Sequence, residues 1–310
     1  MKRTILNGAT GFVGANLARC LLKEGHRVHI LVRPGYSPWR IKSIRDDLEI
    51  HEVDFLDKPK LEAIVNVIQP EWVFHLATFG AYSWQTDLYQ MVNTNYLGTI
   101  NLLEACLQTG FDTFINTGSS SEYGFKVSAP DETEWLEPNS HYAVTKASAT
   151  QYCRYTAQKH NMRVFTLRLY SAFGPYEDPR RLIPTLIRFG FKGTLPPLVS
   201  PEVARDYIYI DDVIAAYFLA AMKPDQDSGA IYNIGTGIQT SLGEVVEVAR
   251  KVLGISQEPE WGTLPQRLWD TNSWVANSLK AQKDIDWHPH FTFEQGFRKM
   301  MEWCSDQKDY

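Results

Sequence analysis

An α/β fold is predicted for at least the first 170 residues: a doubly wound, mostly parallel sheet covered by helices on both faces. Two observations predict it. Short apolar runs bounded by turn residues alternate with longer stretches whose apolar residues recur at helical spacing. The first such run, Thr4-Ile5-Leu6, passes into its helix through Asn7-Gly8-Ala9-Thr10-Gly11-Phe12-Val13-Gly14, a glycine-rich turn between strand and helix. Glycine permits a sharp turn and a close backbone approach, and a helix start offers unpaired N–H groups to an anion. The stretch is therefore a candidate cradle for a dinucleotide pyrophosphate.

The elements follow in order. The first helix runs over 16–24 and stops at Gly25, a C-cap residue. Residues 28–32 and 50–53 read as the second and third strands. Leu61, Ile64, Val65 and Ile68 mark a helix closed by Pro70, and 72–77 reads as the fourth strand. A long helix is predicted over about 88–109, a strand over 114–117, a second long helix over about 142–161 and a sixth strand over 164–169. After Tyr170 proline and glycine become dense, while helical patterns recur at 183–189, 212–222, 242–253 and 293–304. A last short strand at 230–234 is placed to return to the main sheet. The expected organisation is a dinucleotide-binding domain over 1–170, with elements from about 206–234 returning to it. A smaller mixed α/β C-terminal lobe for substrate, over 171–205 and 235–310, completes it.

Composition excludes several function classes. A chain of 310 residues suits one large α/β unit with an appended lobe. A net charge of −5 argues against a nucleic-acid partner. No apolar run approaches the roughly 18–20 residues needed to span a bilayer, and the first strand begins too early for a signal peptide to precede it. Cys20, Cys106, Cys153 and Cys304 are scattered and read as reduced thiols of a cytoplasmic protein. The histidines show no ligand spacing, so no metal site is expected.

Two further stretches carry chemistry. In dinucleotide folds a carboxylate at the end of the second strand usually holds the adenine ribose. Here that strand ends Leu31-Val32-Arg33-Pro34, and Arg40 follows. An arginine there suits a 2′-phosphate, which favours NADP(H) over NAD(H). Tyr142-Ala143-Val144-Thr145-Lys146 puts a phenol and an ammonium one helical turn apart. A nearby ammonium lowers a phenol from its ordinary pKa of about 10 toward useful acid–base strength.

The Gly-x-x-Gly-x-x-Gly spacing, followed by Gly118-Ser119-Ser120-Ser121-Glu122-Tyr123-Gly124 and then by Tyr142 and Lys146, resembles the short-chain dehydrogenase/reductase superfamily. The likeness is to its extended branch, the NAD(P)-dependent nucleotide-sugar epimerases, dehydratases and reductases, and it covers about residues 4–305. The resemblance implies a Rossmann-type sheet and a Ser119, Tyr142 and Lys146 triad. It implies cofactor contacts from Gly8, Thr10, Gly11, Phe12, Val13, Gly14, Asp54, Phe55, Leu76, Ala77 and Thr117, with Lys146 on the nicotinamide ribose. Asn95 takes a structural or proton-relay position. Ser83, Ser120, Ser121, Ser171, Arg205 and Arg267 become candidate substrate contacts, and Trp261, Trp269 and Trp274 candidate stacking groups. Sugar 4,6-dehydratases carry acidic residues where this chain has Ser120 and Ser121, and two serines are poor at the proton transfers that water loss needs. The expected activity is NADP(H)-dependent 4-keto reduction of a 6-deoxy-4-ketohexose carried on a nucleotide diphosphate. A 4-epimerase with retained NAD is the alternative; a 4,6-dehydratase or a non-catalytic dinucleotide-binding protein ranks lower. A homodimer through the two long helices is also implied.

Overall fold

A computed structural model describes residues 1–223, 227–265, 271 and 273–307. Seven parallel strands form the main sheet in the order β10-β6-β5-β4-β1-β2-β3. They are β1 (Arg3–Asn7), β2 (Arg27–Val32), β3 (Glu49–Glu52), β4 (Trp72–His75), β5 (Thr113–Ser119), β6 (Val164–Leu169) and β10 (Ile231–Ile234). The chain moves outward from β1 to β3, then returns to the other side of β1 at β4. The neighbouring connections after β1 and β4 therefore leave in opposite directions, and a crevice opens between them at the strand C-termini.

One face packs on α2 (Lys58–Ile68), α4 (Gly98–Thr109) and α5 (His141–His160) through Ile5, Leu31, Val73, Phe114 and Val164. The other packs on α1 (Phe12–Lys23) and α7 (Ile210–Met222) through Leu6, Ile30, Phe74, Ile115 and Leu167. Both faces are covered, which is why these strands read as nearly continuous apolar runs. The predicted helix over 88–109 is present but not uniform: α3 (Leu88–Met91) passes through a π-turn, Val92–Leu97, into α4. A π-turn inserts one residue per turn and is undetectable in a 3.6-residue apolar pattern.

The rest comprises the strand pairs β7 (Ser171–Phe173) with β9 (Tyr207–Tyr209) and β8 (Ala204–Arg205) with β11 (Thr240–Ser241). Helices α6 (Leu182–Gly190), α8 (Leu242–Leu253), α9 (Leu279–Ile285) and α10 (Phe293–Asp306) complete the described elements. The two- and three-residue strands and α9 are too short to leave a periodic signal in the sequence.

Buried carboxylates tie this half together. Asp206, fully buried, accepts hydrogen bonds from Thr236 N and Oγ1, Gly237 N and Ala276 N at 2.7–3.0 Å. Asp212 on α7 accepts from His290 N and Phe291 N at 3.0 and 3.1 Å. Among the described residues no helix is long and apolar enough to cross a membrane.

Removing Asp206 takes the acceptor from three main-chain N–H groups, that of buried Ala276 among them, and from the Thr236 hydroxyl. Asp206→Ala is expected to destabilise the protein by about 3 kcal/mol or more, with Asp206→Asn losing less. Urea unfolding followed by fluorescence measures both.

Candidate functional site

Everything at the crevice starts from the turn after β1. Gly8 has φ +83°, and a Cβ there would come within 2.5 Å of Leu76 C, so only glycine lets the turn lie against the end of β4. Gly14 sits over Gly8; a Cβ on it would come within 2.2 Å of Gly8 O. Gly11 is the N-cap of α1 and supplies no side-chain cap, so the first N–H groups of that helix lack a capping side chain. Thr10, Gly11, Phe12 and Val13 are half-buried around this start. A backbone cradle that tolerates no Cβ, next to an uncapped helix N-terminus, fits a dinucleotide pyrophosphate. Beside it, Leu76 is buried and Ala77 half-buried directly after β4.

Arg33 is exposed just past β2, and its side chain makes no hydrogen bond or ion pair among the described residues. Arg40 does not share that position. Its guanidinium is engaged with Tyr176 O at 2.7 Å and Thr10 O at 3.3 Å, bracing the glycine turn. Asp54, exposed after β3, accepts from Leu56 N at 2.9 Å, and Phe55 O accepts from Asn101 Nδ2 at 2.8 Å.

The triad candidates converge at the ends of β5 and α5. Ser119 closes β5, is 8% exposed, and accepts from Ser121 N at 3.2 Å, leaving its own proton available. Tyr142 lies in the first turn of α5 with the hydroxyls of Ser119 and Thr78 beside its phenol. Lys146, one turn further on, is 2% exposed and donates to Thr117 O. The expected electrostatics need one correction. Burial raises the Tyr142 phenol above its ordinary value, and the Ser119 and Thr78 hydroxyls oppose that rise. The cation that also opposes it is Arg181, not Lys146. Lys146 is turned to the β5 main chain, and burial lowers its own pKa. Tyr142 is thus set as a protonated acid in this arrangement.

Arg181 was not foreseen from sequence. Burial works against its charge, but Glu177 (3.4 Å from Arg181 Nε) and Tyr82 more than offset that. Burial pushes Glu177 itself up to about 7. Thr78 was also missed: it follows the strand-four motif, but nothing local ties it to Tyr142. Asn95 makes that tie. It lies in the π-turn, fully buried, accepting from Phe79 N and Thr78 Oγ1 and donating to Phe79 O and Thr145 Oγ1. One amide so fixes the segment carrying Thr78 to the helix carrying Tyr142.

Glu122 has a different fate from its serine neighbours. It is fully buried and accepts from Ser119 N (2.9 Å), Thr150 Oγ1 (3.0 Å) and Arg168 Nε (2.9 Å). Every contact is structural, so no acid–base group stands at 120–122. Ser120 Oγ accepts from Trp274 Nε1 at 3.0 Å, and Ser121 is half-buried beside it. Arg205 donates to Ala204 O at 2.7 Å, with its guanidinium 5.4 Å from the Trp274 ring centroid, so it holds the segment that meets Ser120. Ser171 lies half-buried in β7, its N–H bonded to Asp206 O. Ser83 is exposed between Tyr82 and Trp84, whose rings stack at 4.7 Å. Trp261, a candidate for either stacking or the core, packs partly buried against the larger core cluster. Arg267 and Trp269 fall outside the described residues.

Comparison with known proteins gives the family. The family model "NAD dependent epimerase/dehydratase family" matches residues 4–235. A UDP-glucose 4-epimerase from Mycolicibacterium smegmatis is 28% identical over 312 residues, covering 97% of each chain. Among solved structures, UDP-glucose 4-epimerase from Thermotoga maritima with UDP-glucose superposes with a TM-score of 0.88 at 25% identity, over 97% of this chain and 98% of that one. UDP-glucuronic acid 4-epimerase from Bacillus cereus, in complex with UDP-glucuronic acid and NAD, gives 0.87 at 26% identity, over 97% and 98%. The chain belongs to the NAD dependent epimerase/dehydratase family, enzymes of the extended short-chain dehydrogenase/reductase type.

Proposed function

We propose that the protein is an NADP(H)-dependent reductase of a nucleotide-diphosphate sugar, acting on the 4-keto group of a 6-deoxyhexose. The observation that carries this reading is the unengaged Arg33 at the end of β2, where NAD-selective folds place a carboxylate. A net reduction requires a cofactor that exchanges at each turnover, and a 2′-phosphate is the handle such an arginine would hold. The bound nicotinamide supplies the hydride. Tyr142 gives its proton to the sugar oxygen, Ser119 donates a hydrogen bond to the same oxygen, and Lys146 orients the cofactor ribose from beneath. The sugar lies between the lobe formed by 171–205 and 235–310 and the sheet, bordered by Ser83, Ser120, Ser121, Ser171 and Arg205. Arg267 is proposed for the diphosphate. A 4,6-dehydratase is disfavoured because Glu122 is committed to Arg168 and Ser119 N.

A second reading, 4-epimerisation with NAD retained through the cycle, is favoured by the epimerases among the similar proteins and by the NAD bound in several of their structures. The cofactor separates the two. The purified protein is expected to bind NADPH in preference to NADH and to release it freely. Arg33→Ala should weaken NADPH about 10–100-fold, the value of one charge-assisted bond of ~1.5–3 kcal/mol, and leave NADH unchanged. Tightly held NAD with no response to Arg33→Ala would overturn the reductase and favour an enzyme that keeps its cofactor, the epimerase or the dehydratase.

Tyr142→Phe is expected to cut turnover by roughly 10²–10⁴-fold, the usual worth of a positioned proton donor, while cofactor binding persists. Undiminished turnover would remove Tyr142 from the chemistry. A homodimer through the helices over 88–109 and 141–160 is supported by exposed Tyr89, Leu97, Val144 and Tyr155 along them. Light scattering at micromolar concentration should give twice the 35.4 kDa chain mass; a monomer would refute it.

A further inference from the structure

Away from the crevice, at the opposite edge of the sheet, three side chains with metal-ligating atoms meet on neighbouring strands. His29 is on β2, and Glu49 and His51 are on β3, the edge strand. The register pairs His29 with Glu49 and Leu31 with His51, so His29, Glu49 and His51 project from the same face. His29 Nδ1 lies 3.1 Å from His51 Nε2 and 3.3 Å from Glu49 Oε2, and all three ligand atoms are within 4.8 Å of one another. We propose that His29, Glu49 and His51 form a binding site for a divalent cation of the zinc class, with two imidazole nitrogens and one carboxylate oxygen as protein ligands.

The third donor, Glu49, is what supports a metal over a mere histidine pair. Two ligands about 2.05 Å from a tetrahedral zinc stand about 3.3 Å apart, and His29 Nδ1 lies 3.1 and 3.3 Å from the other two donors. Two imidazoles and one carboxylate, with a position left for water, are a donor set that zinc accepts. His29 is 4% exposed, and its other nitrogen, Nε2, is buried with no partner among the described residues. No other hydrogen bond therefore fixes this ring's tautomer against ligation through Nδ1.

The opposing charges are Arg27 and Arg3, which line the same hollow. Arg27 donates to both oxygens of Glu49, 3.0 Å from Oε2. The Arg27 side chain is 56% exposed, so its bond to Oε2 yields at small cost, and the bond to Oε1 remains to orient the carboxylate. A bound cation would cross-link the last two strands and pin the edge strand β3 to β2. Glu49 and His51 are neighbours on one face of β3, but His29 lies about twenty residues earlier and meets them only through strand pairing, so the linear sequence does not join the three.

Co²⁺ titration of the full-length protein, read by visible absorption, tests the proposal. Four-coordinate Co²⁺ absorbs far more strongly than the hydrated ion. The expected result is one such site per chain, bleached by one equivalent of Zn²⁺, with Zn²⁺ raising the melting temperature of the wild type. His51→Ala should weaken the site about 100-fold and Glu49→Gln about 10-fold, at least the ~10–100-fold range seen for lost outer-shell partners. Glu49 is a half-exposed surface position, so its glutamine variant keeps the fold testable if His51→Ala does not express. Absence of the four-coordinate spectrum, or equal affinity in wild type and Glu49→Gln, would overturn it.

Discussion

The buried pair between Glu122 and Arg168 is the interaction on which the crevice depends. Both side chains are at most 1% exposed, on the turn after β5 and on β6. Two buried charges cost more to desolvate than their attraction returns unless every remaining donor and acceptor is satisfied. Here the carboxylate also takes Ser119 N and Thr150 Oγ1, and the guanidinium takes the Tyr123 hydroxyl. Tyr123 in turn donates to Asn233 on β10, whose amide donates to Pro130 O and Asn277 O. The network so reaches from the Ser119 main chain, through α5, to the last strand of the sheet and the segment preceding α9. Its contribution is positional: it sets where Ser119 stands relative to Tyr142 on α5.

That network also explains a chemical choice. Glu122 is an acid one residue from the serines that replace the dehydratase acids, and in the linear string it looks available. In the fold it is the acceptor of three hydrogen bonds and faces the sheet. A group so engaged cannot carry a proton to or from substrate without breaking the contacts that hold Ser119. The same turn therefore places Ser119 beside Tyr142 and keeps the Glu122 carboxylate engaged with Arg168, Thr150 and Ser119 N.

How much of this was legible in the sequence follows from the range of each interaction. The glycine turn, the strand runs and the Tyr142–Lys146 spacing are local, set within a few residues, and all were readable. Asn95 was legible as a mid-helix asparagine needing partners, but not the π-turn that lets its amide face Phe79. Arg181 and Thr78 reach Tyr142 only after α6 and the β4 connection pack against the crevice, so no spacing announces them. The assumption that Lys146 tunes the phenol failed for a related reason. Helical spacing gives a shared face, not a shared partner, and the β5 carbonyl of Thr117 takes the ammonium.

The sheet itself records the compromise. Two residues below the crevice, Ile5, Val73, Phe114 and Val164 form an apolar floor across β1, β4, β5 and β6. At the next inward position on the same strands stand Asn7, His75, Asn116 and Thr166, in register and nearly fully buried. His75 bonds Thr99 and Asn116 bonds Thr166, yet both side-chain atoms of Asn7, His75 Nδ1 and Asn116 Oδ1 have no partner among the described residues. Apolar residues there would stabilise the fold more, since each orphaned buried polar atom costs of order 1–3 kcal/mol. The apolar core two residues away bears that cost. The row lies where the strands end beneath the glycine turn and the Lys146 helix, and burial drives His75 down to about 3, so it remains a neutral dipole at any physiological pH. The layer under the crevice is thus polar without being charged, so positive charge for an anionic ligand comes from side chains around the crevice, Lys146, Arg181 and Arg40 among them.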